Sequence, residues 1–203
     1  MTVPQVAPLT GTTPADGSDA PAGSDDADPP LSLDIDVVHD GGDWSTVADA
    51  EKLVRAAAAA LASELALSGA EACVALSSDA HVAELNASYR GKSAPTNVLS
   101  FGAGGVTPDD ASQARFLGDV VLAQETLQRE AAELELPLDH HMQHLVVHGL
   151  LHLLGYDHAT DEEARAMEGL EVRILARLGV VDPYAGAGEA LNLPGHVSQH
   201  TKS

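Results

Sequence analysis

His148-Gly-Leu-Leu-His152-Leu-Leu-Gly155-Tyr-Asp-His158 is the stretch around which this 203-residue chain is best read. Its apolar residues continue a pattern that predicts a helix over 139–154, with Asp139 as its cap. On a helix, residues four apart share a face, so the His148 and His152 rings stand one turn apart where they can share one ion. Gly155 falls where the helix should stop, because glycine takes the left-handed conformation that reverses a chain. His158, three residues on, can then fold back to the same ion. Two histidines at this spacing can be an accident of a surface; a third beyond a glycine break is rarely supplied by chance. Three neutral imidazoles leave one position of a tetrahedral zinc open, the layout of a catalytic rather than a structural site. The expectation is one zinc ion per chain, held by His148, His152 and His158.

Outward from this segment, periodicity alternates between two and three to four residues. Leu33–Val38, residues 71–77, Asn97–Phe101 and Leu117–Ala123 read as strands. Helices are predicted over Trp44–Leu67, ended by Gly69, over 79–89, capped by Asp79, and over 124–136. The last helix starts at a capping-box pattern, Thr160 with Glu163, and ends at Gly179. Arg90–Pro95 and Gly102–Ala114 read as loops. The fold class is therefore α+β: a single domain over 31–184, about four strands in a mixed sheet, about five helices, and the zinc site at the end of a central helix. The strand order is not readable. Residues 1–30, Pro- and Asp-rich, and 185–203 are expected to be disordered tails.

Composition narrows function. The net charge is −21, of which residues 31–184 carry −16. That argues against broad binding to nucleic acid, which depends on neutralising phosphates with Lys and Arg. A nucleic-acid contact has to be local. Cys73 is the single cysteine, there is no signal-peptide pattern, and no apolar run is long enough to span a membrane, so the expected location is cytoplasmic.

Six of the ten histidines lie between His140 and His158. His141 and His144 share the side of His148, and two readings are open for them: groups behind the ligands or facing a substrate, or an ordinary polar helix start. The His-x3-His-x5-His spacing also fits the long zinc motif of metzincin proteases. Gly149, however, stands where those enzymes carry the glutamate that activates water.

A second run, Tyr89-Arg90-Gly91-Lys92-Ser93-Ala94-Pro95-Thr96-Asn97-Val98-Leu99-Ser100-Phe101, places two of the nine basic residues of 31–184 around a glycine. There a guanidinium fork and an ammonium can reach a phosphate; alone, the segment would pass for a solvated loop. Together with Glu84-Leu-Asn, Leu117-Gly118-Asp119, the histidine motif with Gly149, and Asp182-Pro183-Tyr184, it resembles the YbeY endoribonuclease family, also called the rRNA maturation factor family, over about 31–184. Ser93, where an Asp often follows the Lys, departs from the family pattern.

The resemblance implies a zinc-dependent, single-strand-specific endoribonuclease acting in 16S rRNA 3′-end maturation and ribosome quality control. It carries zinc ligation onto His148, His152 and His158, and the family's important arginine onto Arg90. Lys92 is expected to help position the RNA backbone, and Asp157 to orient a ligand, take a proton or cap the turn. The expected partners are single-stranded rRNA and a ribosomal particle or ribosome-associated protein. Two other readings stay open: a zinc metallopeptidase, and a non-catalytic ribosome-assembly factor with a structural metal.

Overall fold

In the computed structural model, which describes residues 32–104 and 116–185, strand β1 (Leu33–Asp40) runs parallel to β2 (Ala70–Ser77). β2 is parallel in turn to β4 (Phe116–Ala123), and β3 (Val98–Gly102) lies antiparallel on the far side of β4. The order β1-β2-β4-β3 makes a four-stranded mixed sheet with β1 and β3 at its edges. The expected tails lie outside the described residues but for Ala185, as do residues 105–114 of the expected loop.

Among the described residues, five α-helices accompany the sheet: α1 (Ala50–Leu65), α2 (Asp79–Arg90), α3 (Gln124–Glu133), α4 (Leu138–Leu153) and α5 (Asp161–Arg177). The α+β class and the element numbers agree with expectation. β1 buries Leu33 and Ile35 and exposes Asp34 and Asp36, the alternation of a strand with one covered face. Residues of α1, α4 and α5 close over that face in one core, with Val54, Leu61, Val146, Leu150 and Ile174 at its centre. A second, smaller cluster of Val82, Leu99, Val121 and Ala123 seats α2 on the opposite face, above β3 and β4.

Local chemistry corrects five expected boundaries. Trp44–Leu67 is not one helix. Trp44–Thr46 forms a 3₁₀ turn because Asp43 accepts from Ser45 N–H and the buried indole donates to Gly41 O at 3.0 Å. α1 starts only at Ala50 and stops at Ala66, not Gly69: Ala66 takes the left-handed conformation (φ 52°) and Leu67 buries directly after it. Ser78, rather than Asp79, caps α2, accepting from His81 N–H. α3 ends at Glu133, and Pro137 rather than Asp139 stands at the start of α4, where Asp139 accepts from His140 N–H at 3.0 Å. The capping box of α5 is present as expected, Thr160 and Glu163 each satisfying the other's backbone.

Candidate metal centre

α4 is buried along most of its length, and its open stripe carries His144, His148 and His152. The helix ends in a Schellman motif. Tyr156 N–H returns to Leu151 O at 3.1 Å and Gly155 N–H to His152 O at 3.0 Å, with Gly155 at φ 83°. This reversal brings His158 back beside the helix, its ring 5.1 Å from that of His152 and 5.7 Å from that of His148. One ligand atom from each of the three histidines lies within 4.8 Å of the others, so the group could hold a metal ion.

The hydrogen bonds behind the rings supply the test of fit. His148 Nδ1 meets Glu171 Oε1 at 2.8 Å, and His152 Nδ1 meets Tyr156 O at 3.0 Å. A carboxylate and a carbonyl only accept, so both Nδ1 atoms carry hydrogen. The Nε2 atoms of the neutral rings are then bare lone pairs, yet they face each other at 3.1 Å. Lone pairs repel at that separation, and a cation between them removes the conflict. Two imidazoles on a tetrahedral zinc, with bonds of about 2.0–2.1 Å, stand about 3.3 Å apart. Burial holds His152 below the usual histidine range, reinforced by His148 and His158. A neutral ring is the form that binds metal.

Glu171 is the functional residue that motif reading missed. It is fully buried in α5 and holds more than His148. Its Oε2 meets His144 Nε2 at 3.2 Å and accepts from the Tyr184 hydroxyl. Burial pushes the Glu171 carboxyl up, but the hydrogen bonds from His144, His148 and Tyr184 outweigh it and hold it at about 2. A signal existed: Glu171 lies four residues after Met167 and three before Ile174, within the apolar stripe of α5. A carboxylate in a buried stripe demands partners. His144 is thereby placed behind His148, and His141 faces away, bonded to Glu130 at 3.0 Å.

The histidines open onto a cleft of about 580 Å³. Arg90 lines it from the last turn of α2, not from a loop as expected, because the helix runs one residue further before Gly91 turns it. Asn97 lines it from just before β3, Ser100 from the middle of β3, and Asp157 from the turn after α4. Asp157 accepts from His158 N–H at 2.8 Å, which fixes the returning chain. Lys92 is exposed in the loop after α2 and does not line the cleft. Gly149 forms the wall beneath: Ser100 Oγ donates to its carbonyl at 3.1 Å, and a Cβ there would stand 2.6 Å from Val120 Cγ1.

A family model described as Endoribonuclease YbeY matches residues 41–179. The Endoribonuclease YbeY of Rhodopseudomonas palustris (strain ATCC BAA-98 / CGA009) is 52% identical over 155 residues, which span 74% of this chain and 80% of its own. That of Rhizobium meliloti (strain 1021) is 49% identical over 161 residues, 75% of this chain and 95% of its own. A solution structure from Thermotoga maritima covers 80% of this chain and 100% of its own at 20% identity, with a TM-score of 0.47. The family match spans the histidine motif, Arg90 and the buried Glu171, and on it this chain belongs to the endoribonuclease YbeY family.

Proposed function

We propose that this protein is a zinc-dependent, single-strand-specific endoribonuclease acting in 16S rRNA 3′-end maturation and ribosome quality control. One observation carries the reading: two Nε2 lone pairs turned on each other at 3.1 Å open into the same cleft as Arg90. His148, His152 and His158 would hold the ion. When bound, zinc supplies Lewis-acid polarisation of a phosphoryl oxygen or lowers the pKa of a water. Arg90 binds the scissile phosphate through its planar fork and stabilises the charge that builds on it. Asp157 orients His158 through the backbone, and Lys92 meets the RNA backbone outside the cleft.

The charge of −16 on residues 31–184 shapes how RNA is met. A local cation in an acidic body gives weak affinity for free RNA, so docking on a ribosomal particle or a ribosome-associated protein supplies the targeting. No helix among the described residues is long and apolar enough to cross a membrane. With a single, unpaired cysteine, this is consistent with action in the cytoplasm.

A zinc peptidase is less well supported. It requires a carboxylate base facing the ion. Among the described residues Asp157 is the one carboxylate lining the cleft, and it is committed to the His158 N–H. Metal analysis paired with cleavage of single- and double-stranded rRNA fragments tests the proposal. Wild type should bind one zinc per chain and cut single strands; His152→Ala should bind none and cut nothing. Folded, metal-loaded wild type that cuts no RNA would point to the structural-metal reading, and casein cleavage abolished by a chelator to the peptidase.

A further inference from the structure

The chain has six aromatic residues, and the most exposed of them is Tyr89, at 70%. Its position is specific. It ends α2 beside Arg90, and its ring packs on Phe101 with centroids 4.9 Å apart and the planes tilted by 58°. Phe101 lies in β3, whose alternation turns Leu99 toward the α2 side while Ser100 and Gly102 line the cleft. Among the described residues β3 is an edge strand. The Tyr89 ring therefore stands just over the sheet edge from the cleft, one residue from the cation that reaches into it.

The geometry points to Tyr89 as a stacking platform for one unpaired nucleobase of the substrate, flanking the phosphate that Arg90 holds. This rests on the nuclease reading above and adds a subsite to it. Phe101 supports the ring, and most of the remaining ring surface is left to solvent. A tyrosine that merely covered the small core under α2 would be buried by it. The charge balance says why a ring is useful here. An acidic body gains little from phosphate neutralisation, whereas base stacking is non-ionic and indifferent to sequence. The subsite also favours single strands, because a base inside a duplex is already stacked and paired.

The test uses the full-length, zinc-loaded protein and a single-stranded RNA oligonucleotide, with abasic sites placed one position at a time. Tyr89→Ala should raise KM roughly tenfold, leave kcat within about twofold, and leave the zinc content unchanged. Tyr89→Phe, which keeps the ring, should match wild type. One abasic position should raise the wild-type KM by the same factor yet have no further effect on Tyr89→Ala. A 2-aminopurine at that position should be quenched by wild type and not by Tyr89→Ala. An unchanged KM in Tyr89→Ala, or abasic effects that multiply with it at every position, would overturn the platform and leave the nuclease reading standing. Zinc-loaded wild type that cuts no RNA would overturn the nuclease reading, and the platform with it.

Discussion

The Glu171 carboxylate accepts from His148 Nδ1 at 2.8 Å, joining the interior of α5 to a histidine whose other nitrogen faces the cleft. The contact decides which nitrogen of His148 is available. With hydrogen fixed on Nδ1, Nε2 is left as the donor of a lone pair, aimed at His152. His144 and the Tyr184 hydroxyl hold the second carboxylate oxygen, so the orientation of one prospective ligand is set by α4, α5 and the segment after α5 together.

Glu171→Gln should therefore weaken zinc binding about ten- to a hundredfold, since an amide orients the imidazole without the charge that raises its basicity. Competition with a chromophoric chelator measures this directly. Tyr184→Phe should have a smaller effect, because His144 still holds the same oxygen. Equal zinc affinity in wild type and Glu171→Gln would mean that the carboxylate only fills the core.

The same carboxylate sets a pH dependence. Its value in the folded protein is about 2, below the ordinary 4.5. A lowered folded value means that its contribution to stability is complete above about 4.5 and is lost as pH falls toward 2. For metal-free protein, unfolding free energy followed by urea titration should decline through that window more steeply in wild type than in Glu171→Gln. Parallel curves would remove Glu171 as the source.

What was legible in the chain was what a single turn encodes. His148 and His152 at helical spacing, Gly155 in the left-handed turn and the Thr160–Glu163 box are each complete within a few residues. What was not legible depends on partners far along the chain. Asp79 has a capping residue's chemistry, but it caps α3 instead of α2: its carboxylate accepts from Thr126 N–H at 2.9 Å while Glu125 accepts from Asp79 N–H at 2.7 Å. The helix starts thus satisfy each other across 46 residues, a pairing that local pattern cannot contain. The strand order and the Glu171 partners were hidden for the same reason, and Ala66 ended α1 because burying Leu67 outweighed the preference for glycine.

Arg90→Ala should lower kcat on single-stranded RNA about a hundredfold or more while the protein still binds one zinc. Arg90→Lys should restore only part of the loss, because an ammonium lacks the planar fork that matches a phosphate. Arg90 lines the cleft from the exposed end of α2 and packs in neither core cluster, so folding should be unaffected. Wild-type turnover in Arg90→Ala would remove the arginine from the chemistry.

Gly149→Ala sets two effects against each other. Alanine is favoured over glycine inside a helix by about 1 kcal/mol. The new Cβ, however, would stand 2.6 Å from Val120 Cγ1 and 3.2 Å from Ser100 Oγ. Val120 is fully buried mid-strand in β4, so it has little room to yield, and overpacking of this kind costs about 1–3 kcal/mol. The clash should win in the wild-type background, lowering the melting temperature. In a Val120→Ala background both valine contacts are gone, the 3.2 Å contact with Ser100 Oγ is all that remains of the three, and helix propensity should win, so the same substitution becomes stabilising. That reversal of sign, read by thermal unfolding of the four proteins, is the evidence for the contact; additive effects would refute it. A glutamate at 149 starts with the same Cβ and meets the same wall. The position that carries the general base of a metzincin is thus closed here by the packing of α4 on the sheet, and the cleft above it is left to the histidines and Arg90.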